Sequence, residues 1–274
     1  MDLEVKMDSL KKRKPILAFL LSLVTPGFGQ IYNGQFKKGL SLLVGFYLAY
    51  VVFSFLRVKF YGLILYLIIL IGFFLFILID AVRTAIKFKT IELKSYNKWY
   101  VYLVIFLISN VAVFPLLRWT VEKNIVKAYK IPSSSMIPAL SVGDHLVADM
   151  GIYKSQKPKR GDLVIFEFPR DPAKDFIMRV IGIEGEKVEI VNNKIYINEK
   201  LLDDPWGYFT KDYPALDTWG PAVVPKDSLF VLGDNRNNSQ DSRYWGFVNV
   251  AKVRGKALYL YWAKDKSRIG MELK

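Results

Sequence analysis

Ile131-Pro132-Ser133-Ser134-Ser135-Met136-Ile137-Pro138-Ala139-Leu140 marks the point where the chain changes character. Before it lie long uncharged runs. After it no run is longer than a strand. Each proline fixes its own φ and pushes the residue before it away from helix. The three serines are therefore expected in an extended, irregular segment that presents a hydroxyl. Ser/Pro clusters taken alone are loops, so any chemistry here depends on what accompanies it further along.

The chain has 274 residues, of which 52% are hydrophobic and 15% aromatic, and its formal charge is +14 from 39 Lys+Arg against 25 Asp+Glu. That is unusually apolar for a soluble protein. A basic surplus attracts nucleic acid or anionic lipid. Much of it flanks the apolar runs here, so a lipid bilayer is the expected partner and nucleic acid is not. The absence of Cys excludes a Cys nucleophile, a disulfide framework and a thiolate zinc site. With His145 as the single histidine, no metal and no cofactor is expected.

Residues 1–14 are polar and end in Lys11-Lys12-Arg13-Lys14. The segment 15–36 carries no charge and is broken at Thr25-Pro26-Gly27-Phe28-Gly29. Three further uncharged runs, 39–56, 60–79 and 99–117, have the length a helix needs to span a bilayer. They are apolar all round rather than along one face, which argues against burial as core helices. Lys/Arg crowd residues 11–14 and 83–98. The positive-inside rule then places both on the cytoplasmic side, with 39–56 and 60–79 as the two crossings between them. Segment 15–36 is expected to be re-entrant or interfacial, and spans only if the N-terminal basic cluster breaks the rule. The reading is a basic cytoplasmic tail at 1–14, a membrane region at 15–118, and an extracytoplasmic domain at 119–274. This is a multi-pass protein of the cell membrane, with its C-terminal domain on the outer side.

Beyond Trp119 the pattern predicts strands at 124–131, 145–150, 162–168, 176–183, 187–191, 194–198, 228–232 and 256–262, with Asn192-Asn193 as a hairpin turn. The fold class is a membrane α-helical N-terminal region plus a mostly β, antiparallel-sheet domain. Residues 199–226 read as a loop or small insertion. Trp206, Phe209, Tyr213 and Trp219 there are either core or a lipid-facing apolar surface, with core the expectation.

Three segments of this second half carry candidate chemistry. The first is the serine stretch, followed by Gly143-Asp144. The second runs from Lys159-Arg160-Gly161-Asp162 to Phe176-Ile177-Met178-Arg179. The third is Gly233-Asp234-Asn235-Arg236-Asn237-Asn238-Ser239-Gln240-Asp241-Ser242-Arg243. This last is dense in turn formers and charge, and reads either as support for a site or as a solvated turn held by an Asp241–Arg243 pair.

Together, in this order and after a membrane-length run, the three segments resemble bacterial type I signal peptidase over roughly residues 120–262. The resemblance does not extend to the Pro-Gly-Phe-Gly-Gln-Ile-Tyr-Asn-Gly stretch within 15–82. It implies a membrane-bound serine endopeptidase that removes signal peptides from exported preproteins after small residues, using a Ser/Lys dyad. Ser135 matches the nucleophile that forms an acyl-enzyme. The Ser135 N–H and the Ser133 hydroxyl match the oxyanion hole, where one good donor contributes roughly 3–4 kcal/mol. Ser239 matches the serine that orients the base. Asp241 and Arg243 match the ion pair bracing the loop, with Arg179 and Asp144 as further support. Met136 and Pro138 match the substrate groove.

Two positions depart from the family's pattern. Asn237 stands where an Asp is usual, and Met178 stands where the dyad lysine is expected. A thioether has no useful basicity at neutral pH, whereas a buried lysine works as a base because burial lowers its pKa. Three readings of Met178 follow: a signal-peptide-binding pseudoenzyme, rescue by another base (Lys174 or His145), or a different role for the domain.

Overall fold

The computed structural model describes residues 10–209 and 218–273; Tyr213 lies outside them. These residues fall into two compact units, one drawn from residues up to Arg57 and from Tyr61–Val121, the other from Val58–Phe60 and from Glu122 onward.

The first unit is helical. Helix α1 (Pro15–Val24) opens on proline at its first position, where the missing N–H was unpaired in any case. It stops at Thr25, which is extended, and Gly27 then adopts φ +93°. A Cβ on Gly27 would lie 2.1 Å from the Gly39 carbonyl oxygen, so the chain turns there on glycine alone. Helices α2 (Phe28–Tyr32) and α3 (Phe36–Val52) follow. Segment 15–36 is thus two short helices about a turn. The ten residues of α1 rise only about 15 Å, half of a bilayer's hydrocarbon core. Helix α4 is Phe60–Lys87. Helix α5 (Trp99–Phe106) continues through a π-helical stretch (Leu107–Val113) into α6 (Phe114–Asn124). Among the described residues, Phe36–Val58, Phe60–Lys87 and Trp99–Asn124 are long and apolar enough to cross a membrane. Their outward side chains are apolar, Leu48, Ile68 and Val111 among them. Two short strands, β1 (Leu10–Lys12) and β2 (Thr90–Glu92), pair antiparallel in this unit.

The second unit is built of antiparallel ladders. In chain order its strands begin with β3 (Val126–Lys130), β4 (His145–Asp149), β5 (Leu163–Phe168) and β6 (Asp171–Ile183). Then come β7 (Lys187–Val191), β8 (Lys194–Ile197), β9 (Lys200–Leu201), β10 (Trp219–Val223), β11 (Ser228–Leu232), β12 (Val248–Asn249) and β13 (Val253–Trp262). One sheet runs β12-β11-β6-β5-β13-β4-β3 and a smaller one β10-β7-β8-β9. The fold class is as expected, and Asn192 and Asn193 turn the β7–β8 hairpin at φ 49° and 63°, the left-handed pair that a two-residue hairpin needs.

Strand β6 begins five residues before the expected Phe176, because Phe168 still pairs with Asp171 across an irregularity in the ladder. Three short strands, β9, β10 and β12, were not expected. The 199–226 segment contributes two of them. Its aromatics divide: Trp219 packs 4.4 Å from Phe230, Trp206 lies against the second core, and Phe209 is 43% exposed.

The larger core joins Met136, Leu140, Leu146, Phe166, Met178 and Leu260; the smaller joins Ile181, Val188, Val224 and Phe230. Phe230 is fully buried between Trp219 and Phe247. Phe230→Ala is expected to cost about 3–5 kcal/mol, read as a lower denaturation midpoint of the full chain by tryptophan fluorescence in detergent. A change under about 1 kcal/mol would mean that this second core does not support the β unit.

Candidate active site

The serine stretch and Asp144 bracket one loop. Ile131 N–H donates to the Asp144 carbonyl at 2.8 Å and Gly143 N–H to the Ile131 carbonyl at 2.9 Å, closing its base. Within it the Ser133 and Ser135 hydroxyls lie 3.2 Å apart. Met136, expected along a groove, is instead 2% exposed and packs in the larger core, because the turn after Ser135 points its side chain inward. Pro138 is exposed and lines a hollow of about 300 Å³.

The third segment holds this loop from the side. Asn235 N–H donates to the Ser135 carbonyl at 3.0 Å. Asn235 Nδ2 donates to the Ser134 carbonyl at 3.1 Å, and Asn238 Nδ2 to Ser134 Oγ at 2.9 Å. A Cβ added at Gly233 would fall 2.2 Å from Ser239 Oγ and 2.6 Å from the Ser135 carbonyl oxygen. Gly233 is therefore where Ser135 and Ser239 come together. Strand β11 pairs its last residue, Leu232, with Arg179, the chain neighbour of Met178. Ser239 Oγ is buried and, among the described residues, has no hydrogen-bond partner.

Two ion pairs set this geometry. Arg179 forks onto Asp234, Nε to Oδ1 at 2.8 Å and Nη2 to Oδ2 at 2.7 Å, while its Nη1 donates to the Gly161 carbonyl at 2.7 Å. Both side chains are 1% exposed. Burial pushes the Asp234 carboxyl up, and the Arg179 guanidinium opposes the shift. Asp241 and Arg243 form a second fork, at 2.8 and 2.9 Å, with Asp241 fully buried and also accepting from Gly233 N–H at 3.1 Å. The solvated-turn reading of this loop is thus excluded by its burial.

Met178 is 2% exposed within the larger core. The two bases considered as substitutes are engaged elsewhere. Lys174 lies in β6 rather than in a loop, but its ammonium is 69% exposed and 2.8 Å from Asp171, which holds its pKa above the ordinary lysine value. His145 Nδ1 is 3.2 Å from the Tyr261 hydroxyl. Sequence reasoning gave no role to Gly233, Asn235 or Asn238. The packing of a glycine and two amides against a loop 100 residues earlier leaves no periodic trace, and their place in a dense polar segment was the available signal.

A sequence profile described as signal peptidase, peptidase S26, matches residues 99–262. The signal peptidase I of Leptolyngbya laminosa is 36% identical over 167 residues, covering 58% of this chain and 80% of that protein. The "Probable signal peptidase I-2" of a Synechocystis strain is 41% identical over 144 residues, covering 50% and 64%. A crystal structure of a signal peptidase I from Enterococcus faecalis is 34% identical and covers 37% of this chain and 97% of that one, with a TM-score of 0.33.

Removing the Asp234 carboxylate leaves the Arg179 charge buried and unpaired. Asp234→Leu or Arg179→Met alone is expected to cost about 3–5 kcal/mol, whereas the two together cost far less. Denaturant titration of the four corners of this cycle checks it, and additive losses would show that the pair is not coupled.

Proposed function

This chain belongs to the signal peptidase family, peptidase S26, and we propose that it is a membrane-bound serine endopeptidase acting on signal peptides of exported preproteins, with Ser135 as nucleophile and Met178 at the position of the general base. The observation that carries this reading is that Ser135 and Ser239 both abut Gly233, one residue past the Leu232–Arg179 pair beside Met178. Ser135 Oγ attacks the scissile carbonyl. Its neighbour Ser133, 3.2 Å away, stabilises the oxyanion together with the Ser135 N–H. The proton on Ser135 Oγ has to leave as the bond forms; a thioether does not take it, so it passes to solvent water.

The family's chemistry therefore runs here without its usual base. Positioned general bases contribute roughly 10²–10⁴-fold, and cleavage is expected to be slower by that order. A second reading, a signal-peptide-binding protein without hydrolysis, is favoured by the buried thioether itself. Binding needs the groove and the loop, and neither requires a base.

The deciding experiment compares cleavage of a preprotein with an Ala-x-Ala site by the chain, by Ser135→Ala and by Met178→Lys, in detergent or liposomes. Met178→Lys is expected to raise Ser135-dependent cleavage by about 10²–10⁴-fold. The new base works only when neutral. Its rate should climb with pH through a lysine pKa that the apolar surroundings lower. Cleavage by Met178→Lys alone, with none by the unchanged chain, favours the binding protein. A folded but inactive Met178→Lys overturns the assignment of positions 135 and 178.

The same proposal sets the topology: residues 1–14 and 83–98 cytoplasmic, and residues 119–274 outside. The chain has no cysteine, so Lys200→Cys gives a single reporter. Its thiol is expected to react with a membrane-impermeant maleimide in intact cells, and protection until lysis would reverse the assignment.

A further inference from the structure

Arg268 lies six residues beyond the stretch matched by the family profile, and its guanidinium grips the loop that carries Ser135. Nη2 donates to the Ala139 carbonyl at 2.7 Å and to the Pro138 carbonyl at 3.3 Å. Nη1 donates to Asp144 Oδ2 at 2.7 Å and to Ser141 Oγ at 2.9 Å. Asp144 is 1% exposed, and the same Oδ2 accepts the Ser141 N–H at 2.8 Å. One fork thus ties the middle of the loop to its base. A planar guanidinium with five fixed donors suits this task; an ammonium is a point charge without the fork.

The arm that holds Arg268 is itself fixed. Asp265 Oδ1 accepts from Ser267 N–H at 3.0 Å, and Arg268 N–H donates to the Asp265 carbonyl at 3.1 Å. The chain then returns along β13. Gly270 N–H donates to the Leu260 carbonyl, Leu260 N–H to the Met271 carbonyl, and Leu273 N–H to the Leu258 carbonyl. Leu273 is buried in the larger core. Between this arm and the loop lies the hollow of about 300 Å³, with Pro138, Ala139, Trp206, Met271 and Leu273 in its wall. Without Arg268 the two loop carbonyls lose their donor and have open space beside them.

We propose that Arg268 is a positioning residue for the nucleophile: it fixes the 138–144 half of the loop, so that Ser135 Oγ stays aligned between Ser133 and position 178. The inference rests on the reading of Ser135 as nucleophile. A misplacement on the order of 1 Å at a reacting group costs about 10²-fold, so the expected signature is in turnover rather than binding.

The test uses the full chain in detergent, with Met178→Lys as the active background. Adding Arg268→Gln is expected to lower kcat by about 10- to 100-fold with KM within about twofold. Arg268→Lys should fall nearly as far, because charge without the fork does not bridge. Ser141→Ala, which removes one contact and disturbs folding least, should lower kcat in the same direction by a smaller factor. In the unmodified chain, Arg268→Gln should speed hydrogen exchange at the Leu140 and Gly143 amides and leave the β4 and β13 amides unchanged. Unchanged kcat in both Arg268 variants, even with faster loop exchange, would reduce Arg268 to a brace and overturn the proposal while leaving Ser135 in place. Full rescue by Lys would replace positioning with a charge effect. A folded Met178→Lys that does not cleave would instead sink the nucleophile assignment, and this proposal with it.

Discussion

The buried guanidinium of Arg179 is the constraint on which the rest of the β unit depends. Its Nε and Nη2 bind Asp234 in the third segment and its Nη1 binds the Gly161 carbonyl in the second. Asp234 is flanked by Gly233 and Asn235, which touch the Ser135 carbonyl in the first. Three stretches separated by tens of residues are thereby fixed to one planar group. Burying two ions costs several kcal/mol each unless the geometry satisfies them. A fork on a carboxylate with a carbonyl on the remaining nitrogen does so, and the Trp206 ring covers the face at 4.8 Å. A lysine at 179 would offer no second parallel bond, and the register of β6 against β11 would lose its pin.

The neighbour of that arginine shows the opposite choice. Met178 fills a slot in the larger core with a flexible apolar side chain, the kind that packs irregular gaps well. A lysine there would have to be desolvated, which favours its neutral form and leaves the amine free to take a proton. The same burial that makes a useful base is thus a cost to folding. Met178 carries no such cost, and its thioether offers no useful basicity. Ser239 carries a cost of its own. Its hydroxyl is buried against Gly233 with no partner among the described residues, a state that costs about 1–3 kcal/mol for a hydroxyl. Stability favours methionine at 178 and disfavours the orphan at 239.

Much of this was legible in the sequence, for reasons that differ by element. The strands of the larger sheet announce themselves by apolar runs between Gly, Pro and Asp, and Asn192-Asn193 by its tolerance of positive φ. Ser133, Ser135, Ser239, Asp241 and Arg243 lie in segments dense in polar residues, and their proposed roles come only from the family resemblance. What stayed hidden was long-range. Strands β9, β10 and β12 are held by register against neighbours rather than by their own pattern. Met136 looked like a groove residue and is core, since a turn decides which way a side chain points. Arg268 sits in an ordinary polar stretch, and only the fold brings it to the loop 124 to 130 residues earlier.

The N-terminal unit obeys a related rule in an apolar setting. Breaking a helix frees backbone groups that hydrocarbon does not satisfy, so a break must be covered by protein. The turn at Thr25–Gly29 is tied down by side chains on both sides of it. Gln30 Nε2 donates to the Ile77 carbonyl at 2.8 Å and to Asp80 Oδ2 at 3.0 Å, and Asn33 Nδ2 donates to the Ala81 carbonyl at 2.7 Å. Lys38 reaches Asp80 at 2.7 Å, and Gly29 N–H finds Ser22 Oγ at 3.0 Å. Gly27 and Gly39 allow backbones to approach where any Cβ would collide. The polar residues that interrupt this apolar segment are therefore the means by which α1 to α3 dock on α4. Replacing them with leucine would raise the hydrophobicity of the segment while stripping the partners from its turn.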